Sequence, residues 1–143
     1  MIINQLSVFL ENKPGRLYAA VDVLAKNNID ISALSLADTS EFGILRLIVN
    51  DFDKAREVLR ESGVIVKRNH VIAVAMNDKP GGMVDILKLL SENNMSIEYM
   101  YACVGKITGK ALMVIRIDDY EQAEKVLLDA GYGEVNPADI YRL

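Results

Sequence analysis

Apolar residues occupy alternate positions at Leu6, Val8 and Leu10, with Ser7, Phe9 and Glu11 between and beyond them, which predicts a β-strand with one face on a core. After Pro14-Gly15 the period changes. Leu17, Ala20, Val21 and Leu24 recur at helical spacing and form one helix face. Asn27-Asn28 ends that helix, because asparagine tolerates the left-handed backbone of a helix stop. Ile31 to Leu36 predicts a second strand, Asp38 to Gly43 a turn, and Ile44 to Val49 a third strand. Asp51 or Asp53 suits the cap of a second helix with Ala55, Val58, Leu59 and Ser62 on one face. Gly63 stops it, and Val64 to Val66 predicts a short fourth strand, so the order is βαββαβ.

The pattern is then written again. Ile72, Val74 and Met76 stand where Leu6, Val8 and Leu10 stood, and Pro80-Gly81 follows Pro14-Gly15 at a spacing of 66 residues. Met83, Ile86, Leu87 and Leu90 replace the first helix face, and Asn93-Asn94 replaces Asn27-Asn28. Gly109 matches Gly43, while Ala123 and Gly131 match Ala55 and Gly63 with two residues inserted in or beside the intervening hairpin. The last strand of this copy is weakly written: Tyr132 to Pro137 is turn-like, and Asp139 to Arg142 is the segment left to be extended.

Each copy therefore predicts a split-βαβ, ferredoxin-like α+β sandwich with an antiparallel sheet and two helices on one face. The expected domains are residues 1–69 and 70–143, joined near Lys67 to His70. The sheet face away from the helices carries Phe9, Ile44 and Ile48 in one copy and Ala73, Ala75, Leu112 and Val114 in the other. Apolar residues on both sides of a sheet imply something covering the second side, and a homodimer is the expected cover.

Composition narrows the function. The chain has 143 residues and a net charge of -4, whereas phosphate binding needs concentrated positive charge, so no nucleic-acid partner is expected. Lys67-Arg68 with His70 is its one compact basic cluster and reads as solvated linker charge. No apolar run is long enough to span a bilayer, so no membrane partner is expected, and the single Cys103 fits a cytoplasmic location. No catalytic residues, metal ligands or cofactors are expected. One histidine forms no triad or histidine metal site, Cys103 reads as a small buried apolar residue, and Asp118-Asp119 reads as a helix cap. Gly105 to Gly109, with Lys106 inside it, lacks the spacing of a phosphate-binding loop and reads as a hairpin turn.

Asn12-Lys13-Pro14-Gly15 and Asp78-Lys79-Pro80-Gly81 each join a first strand to a first helix, and Asn28-Ile29-Asp30-Ile31 and Asn94-Met95-Ser96-Ile97 each end that helix. A βαββαβ unit with these segments resembles the ACT domain, here in tandem over the whole chain with no enzyme attached. The resemblance implies a regulatory protein that is not an enzyme. It would bind a small molecule, most often a free amino acid, between ACT units and act on an unidentified protein target. The alternatives are an interaction module with a degenerate turn, and a small enzyme.

The chemistry of the turn agrees with that role. Pro14 and Pro80 suit an early helix position that needs no N–H, and Gly15 and Gly81 let backbone approach a ligand without a Cβ. N–H groups near Arg16, Leu17, Gly82 and Met83 point at a carboxylate, and Asn12 and Asp78 accept from an ammonium. Asp30 and Ser96 are expected to complete a site from a neighbouring unit. Tyr99 and Tyr101, where the first copy has Ala33 and Ser35, are candidates to wall a pocket or to fill a core. Gly82 is expected to leave open the space that Arg16 occupies in the first copy, which favours the second turn as the dominant site.

Overall fold

The computed structural model describes residues 1–38, 41–104 and 108–141. Its elements run β1 (Ile2–Glu11), α1 (Arg16–Lys26), β2 (Ile31–Asp38), β3 (Phe42–Val49), α2 (Phe52–Glu61), β4 (Ile65–Asn77), α3 (Gly82–Glu92), β5 (Tyr99–Ala102), β6 (Lys110–Arg116), α4 (Tyr120–Asp129) and α5 (Pro137–Tyr141). They form two compact units, Asn4–Asn69 and Met1–Ile3 with His70–Leu143. Among the described residues no helix is long and apolar enough to cross a membrane.

In the unit of residues 4–69 the strand order is β2-β3-β1-β4. β1 and β3 run antiparallel from Leu6↔Leu47 to Glu11↔Phe42, and β2 pairs with β3 from Ile31↔Val49 to Asp38↔Gly43. Leu6, Val8 and Leu10 bury against Ala20 and Leu24 of α1 and Ala55 and Leu59 of α2, so the alternating and helical patterns meet in one core. In the other unit β4, β6 and β5 are neighbours in that order, with registers from Ile72↔Ile115 to Asn77↔Lys110 and from Tyr99↔Arg116 to Ala102↔Met113. Ile72, Val74 and Met76 pack there on Ile86 and Leu90 of α3 and on Ala123 and Leu127 of α4.

The helix ends follow the residues that predicted them. Asp51 and Asp119 cap α2 and α4 by accepting the N–H groups of Lys54 at 3.1 Å and Gln122 at 3.2 Å. Asn28 and Asn94 take φ of 58° and 56° just past α1 and α3. Beyond them Ile29 and Met95 donate to Leu24 and Leu90 carbonyls, at 3.0 and 2.9 Å, which pairs the last open carbonyls. Gly63 and Gly131 hold the same place after α2 and α4.

Two expectations change. The end of the second copy is not a strand: Pro137–Tyr141 is a helix. Asn136 accepts the Ala138 N–H on its side chain at 2.9 Å, and the Asn-Pro pair is a cap followed by a proline at the first helical position. Arg142 lies outside the described residues. The place beside β4 is taken by the first residues of the chain. The Ala73 N–H donates to the Met1 carbonyl at 2.9 Å, and the Ile2 N–H donates to Glu124 Oε2 at 3.0 Å. Residues 67–70, expected as a linker, lie inside β4. Lys67 and Arg68 are exposed, as expected of solvated charge, and each also stands near a ring. Lys67 Nζ stands 5.4 Å from the Phe9 ring centroid, and the Arg68 guanidinium stands 4.7 Å from that of Phe52 and 3.5 Å from Asp53. His70 stacks at 5.0 Å on Tyr120, and its carbonyl accepts from Arg116.

The sheet face away from the helices is not left bare. Ile48, Ala73 and Val114 are wholly buried, and Leu112 is nearly so, in the single chain. Phe9, Ile44 and Ala75 of the same face are half-buried. Among the exposed apolar residues are Leu34 and Leu36 on the edge strand β2, each half exposed.

Candidate functional site

The two Pro-Gly turns have the same bonding. Asn12 donates its N–H to the Glu41 carbonyl and Asp78 to that of Gly109, both at 3.1 Å. Lys13 and Lys79 fold back onto Glu11 and Asn77, and Arg16 and Gly82 donate to the Lys13 and Lys79 carbonyls at 3.3 and 3.0 Å. Gly15 and Gly81 stand at the helix starts with φ of 86° and 84°, a conformation that a side chain resists, and no side chain caps α1 or α3. Asn12 and Asp78 are thus exposed turn residues, not helix caps. Because the N–H groups of Arg16 and Gly82 serve the turn, Leu17 and Met83 are the next first-turn donors for a ligand.

Gly82 is not open space. A Cβ there would collide with the Asn77 carbonyl oxygen, so the second turn closes onto its own strand more tightly than the first. Asp30 and Ser96 lie at the far end of their sheets from the turns. Asp30 exchanges bonds with Asn50 beyond the Ile31↔Val49 pair, and Ser96 precedes the Tyr99↔Arg116 pair. Tyr99 and Tyr101 alternate with the core residue Met100 and so face away from the helices; Tyr101 is buried and Tyr99 half-buried. Neither tyrosine lines either of the two cavities described next.

What the sequence reading missed is a matched pair of cavities. One, of about 300 Å³, lies among the end of β1, the α1 start, and the turn from α2 into β4. The other, of about 440 Å³, lies among the end of β4, the α3 start and the turn after α4. Positions related by the repeat line both, Gly63 in one and Gly131 in the other. Their chemistry has diverged. The first is lined by Arg16, Ala19 and Phe42, and the second has Gly82, Asp85 and Lys110 at those places. The registers Glu11↔Phe42 and Asn77↔Lys110 match the last pair, so Gly109 stands where Glu41 does and not, as expected, where Gly43 does. The signal was present as charge differences at repeat-matched positions.

Glu11 and Arg16 line the first cavity; Arg16 Nη2 is 3.9 Å from Glu11 Oε2, and Lys13 Nζ, outside the lining, is 2.9 Å from the same oxygen. The Lys13 hydrogen bond, with the charges of Lys13 and Arg16, holds the Glu11 carboxyl below the usual range. In the second, Lys110 Nζ donates to Asn77 Oδ1 at 2.6 Å, and Glu134 and Asp139 join Asp85 on the walls. Burial, with the Asp85 carboxylate, pushes the Tyr132 phenol up. Cys103 lines neither cavity, and burial pushes its thiol up to about 11.

The comparisons agree with this architecture. A family model described as an ACT domain pair matches residues 1–143. The crystal structure of protein BT0572 from Bacteroides thetaiotaomicron is 38% identical, with a TM-score of 0.91, over 100% of this chain and 98% of that one. The ligand-free regulatory subunit of aspartate kinase from Thermus thermophilus has a TM-score of 0.63 at 14% identity, over 92% of this chain and 97% of that one. Its counterpart from Thermus flavus has 0.62 at 16%, over 91% and 95%. At these identities the two kinase subunits share a fold with the chain and nothing finer. No curated protein matches the sequence.

Proposed function

The chain belongs to the ACT-domain-pair family, and on that premise we propose that it is a regulatory protein that binds a free amino acid and acts on a separate enzyme or regulator. The cavity beside the second Pro-Gly turn is the seat. An amino acid carries a carboxylate and an ammonium, and this cavity offers Lys110 to the carboxylate and the carboxylates of Asp85, Glu134 and Asp139 to the ammonium, with Asp85 at the helix start. That pairing of opposite charges in one cavity at a helix start is the observation that carries the reading.

The Met83 N–H adds a donor on the carboxylate side, and Asp78, exposed on the turn, adds negative charge at the approach. Gly81 and Gly82 keep the turn free of side chains. Asn12, Pro14, Gly15 and Leu17 form the matching turn of the first copy.

Two further parts belong to this proposal. The protein is cytoplasmic, and it forms a homodimer whose contact includes the edge strand β2 with Leu34 and Leu36. The comparison with the Thermus subunits, although only one of fold, supports a target supplied by another chain. No step of catalysis is assigned to it.

Calorimetry with a panel of amino acids tests the reading. One member should bind, and Asp85→Asn and Lys110→Met should each weaken it by about tenfold or more, since each removes a charged hydrogen-bond partner. Absence of binding by every amino acid would overturn it.

A further inference from the structure

The cavity beside the first turn has a different chemistry from its counterpart, and we infer that it is a second, separate ligand site, selective for a short apolar monocarboxylate that lacks an ammonium group. Glu11 and Arg16 line it, and Lys13, outside the lining, pairs with Glu11. Together the three groups carry one net positive charge. Lys13 holds Glu11 at 2.9 Å, whereas Arg16 stands 3.9 Å away, so the guanidinium has the weaker claim on that carboxylate. Its side chain is 55% exposed and lines the cavity. A carboxylate entering there gains a charge-assisted, two-pronged partner.

The walls behind Arg16 are apolar. Phe9, Leu10, Val23, Phe42 and Ile65 line the cavity, and Phe42 and Ile65 are 48% and 64% exposed at its rim. An apolar tail of about five carbons covers those side chains and removes their surface from water. An ammonium finds no equivalent place. The one carboxylate is already engaged by Lys13, Ala19 stands where the second cavity has Asp85, and the Ser62 hydroxyl donates to the Leu59 carbonyl at 2.7 Å. The surplus positive charge repels an added cation. Thus the repeat has diverged into a cavity with several carboxylates beside a lysine and one whose single carboxylate is already paired, beside an arginine and apolar walls.

This site does not depend on amino-acid binding at the second cavity, and the two are tested apart. The probe is 4-methyl-2-oxopentanoate, with L-leucine as the same carbon skeleton bearing an ammonium, and 4-methylpentan-1-ol as the skeleton without a carboxylate. The whole chain is titrated by calorimetry and by methyl shifts of Val23 and Ile65, with Val135 and Met76 reporting the other cavity. The oxo acid should bind and shift Val23 and Ile65. Leucine and the alcohol should bind there at least about tenfold more weakly. Arg16→Gln should weaken the oxo acid by about tenfold. Ala19→Asp, which writes the second cavity's residue into the first, should weaken it similarly. Both positions are exposed, and a melting curve confirms that each variant folds. The inference is overturned if the oxo acid does not saturate at millimolar concentration, if it shifts only Val135 and Met76, if leucine binds the first cavity as well, or if both folded variants bind like wild type.

Discussion

Gly82 and Gly81 are adjacent, yet substitution should harm them for different reasons. At Gly82 an added Cβ enters the van der Waals surface of the Asn77 carbonyl oxygen, a main-chain atom that cannot rotate away. At Gly81 an added Cβ meets nothing within 4 Å, but φ is +84°, where a side chain is strained against its own backbone. Overpacking against a fixed neighbour costs about 1–3 kcal/mol, and the main-chain contact places Gly82→Ala at about 2–3 kcal/mol. A single residue held left-handed places Gly81→Ala at about 1 kcal/mol. For a chain of this size 1 kcal/mol moves Tm by roughly 3–4 °C, so the expected losses are roughly 8 °C and roughly 4 °C. Replacement by asparagine separates the mechanisms. Asn tolerates the left-handed region, so Gly81→Asn should regain most of the loss while Gly82→Asn should not. Arg16, the repeat-matched position, already carries a Cβ, and Arg16→Ala should stay within about 2 °C of wild type. Calorimetric melting of the five variants is the assay. A Gly82→Ala protein that melts with wild type, or a Gly82→Asn protein rescued like Gly81→Asn, would refute the close-approach argument.

Two further outcomes follow from the helix ends and the thiol. Asn28→Ala and Asn94→Ala, at φ of 58° and 56°, should each lower stability by about 1 kcal/mol in urea melts, and the effects should add because the sites are independent. Because burial raises the Cys103 thiol to about 11, its thiolate is scarce at pH 8; a disulfide reagent should label it slowly in the folded protein and rapidly in urea.

Sequence periodicity identified the strands and helices that carry the two cores, because burial imposes it on every residue of those faces. Leu6, Val8 and Leu10, and later Ile72, Val74 and Met76, needed no tertiary information to be placed. The asparagine stops were equally legible, since their geometry is local. The fate of Lys67 to His70 was not. A charged stretch reads as a linker, but here it lies within β4, with Lys67 and Arg68 near the rings of Phe9 and Phe52. The short helix at Pro137 was legible in principle from Asn136-Pro137, and a search for a fourth strand obscured it. The cavities were hidden for another reason. Asp85, Lys110, Phe42 and Ile65 come from separate elements, and only the fold places them at the same rims. The close approach at Gly82 was likewise invisible, since a missing Cβ signals open space and crowding alike.

The sharing of β1 bears on how such a gene changes over time. Its Met1–Ile3 belongs with His70–Leu143, and the rest of the strand belongs with the other unit. A duplication of this kind, once its end strand has been lent across the repeat, has become hard to reverse: deleting either copy strips the survivor or leaves three orphaned residues. Exchange of a whole repeat disturbs both units, whereas a point substitution at a cavity wall need disturb only one. Divergence is channelled into single residues within a fixed pair, as at Arg16 against Gly82, Ala19 against Asp85, and Phe42 against Lys110.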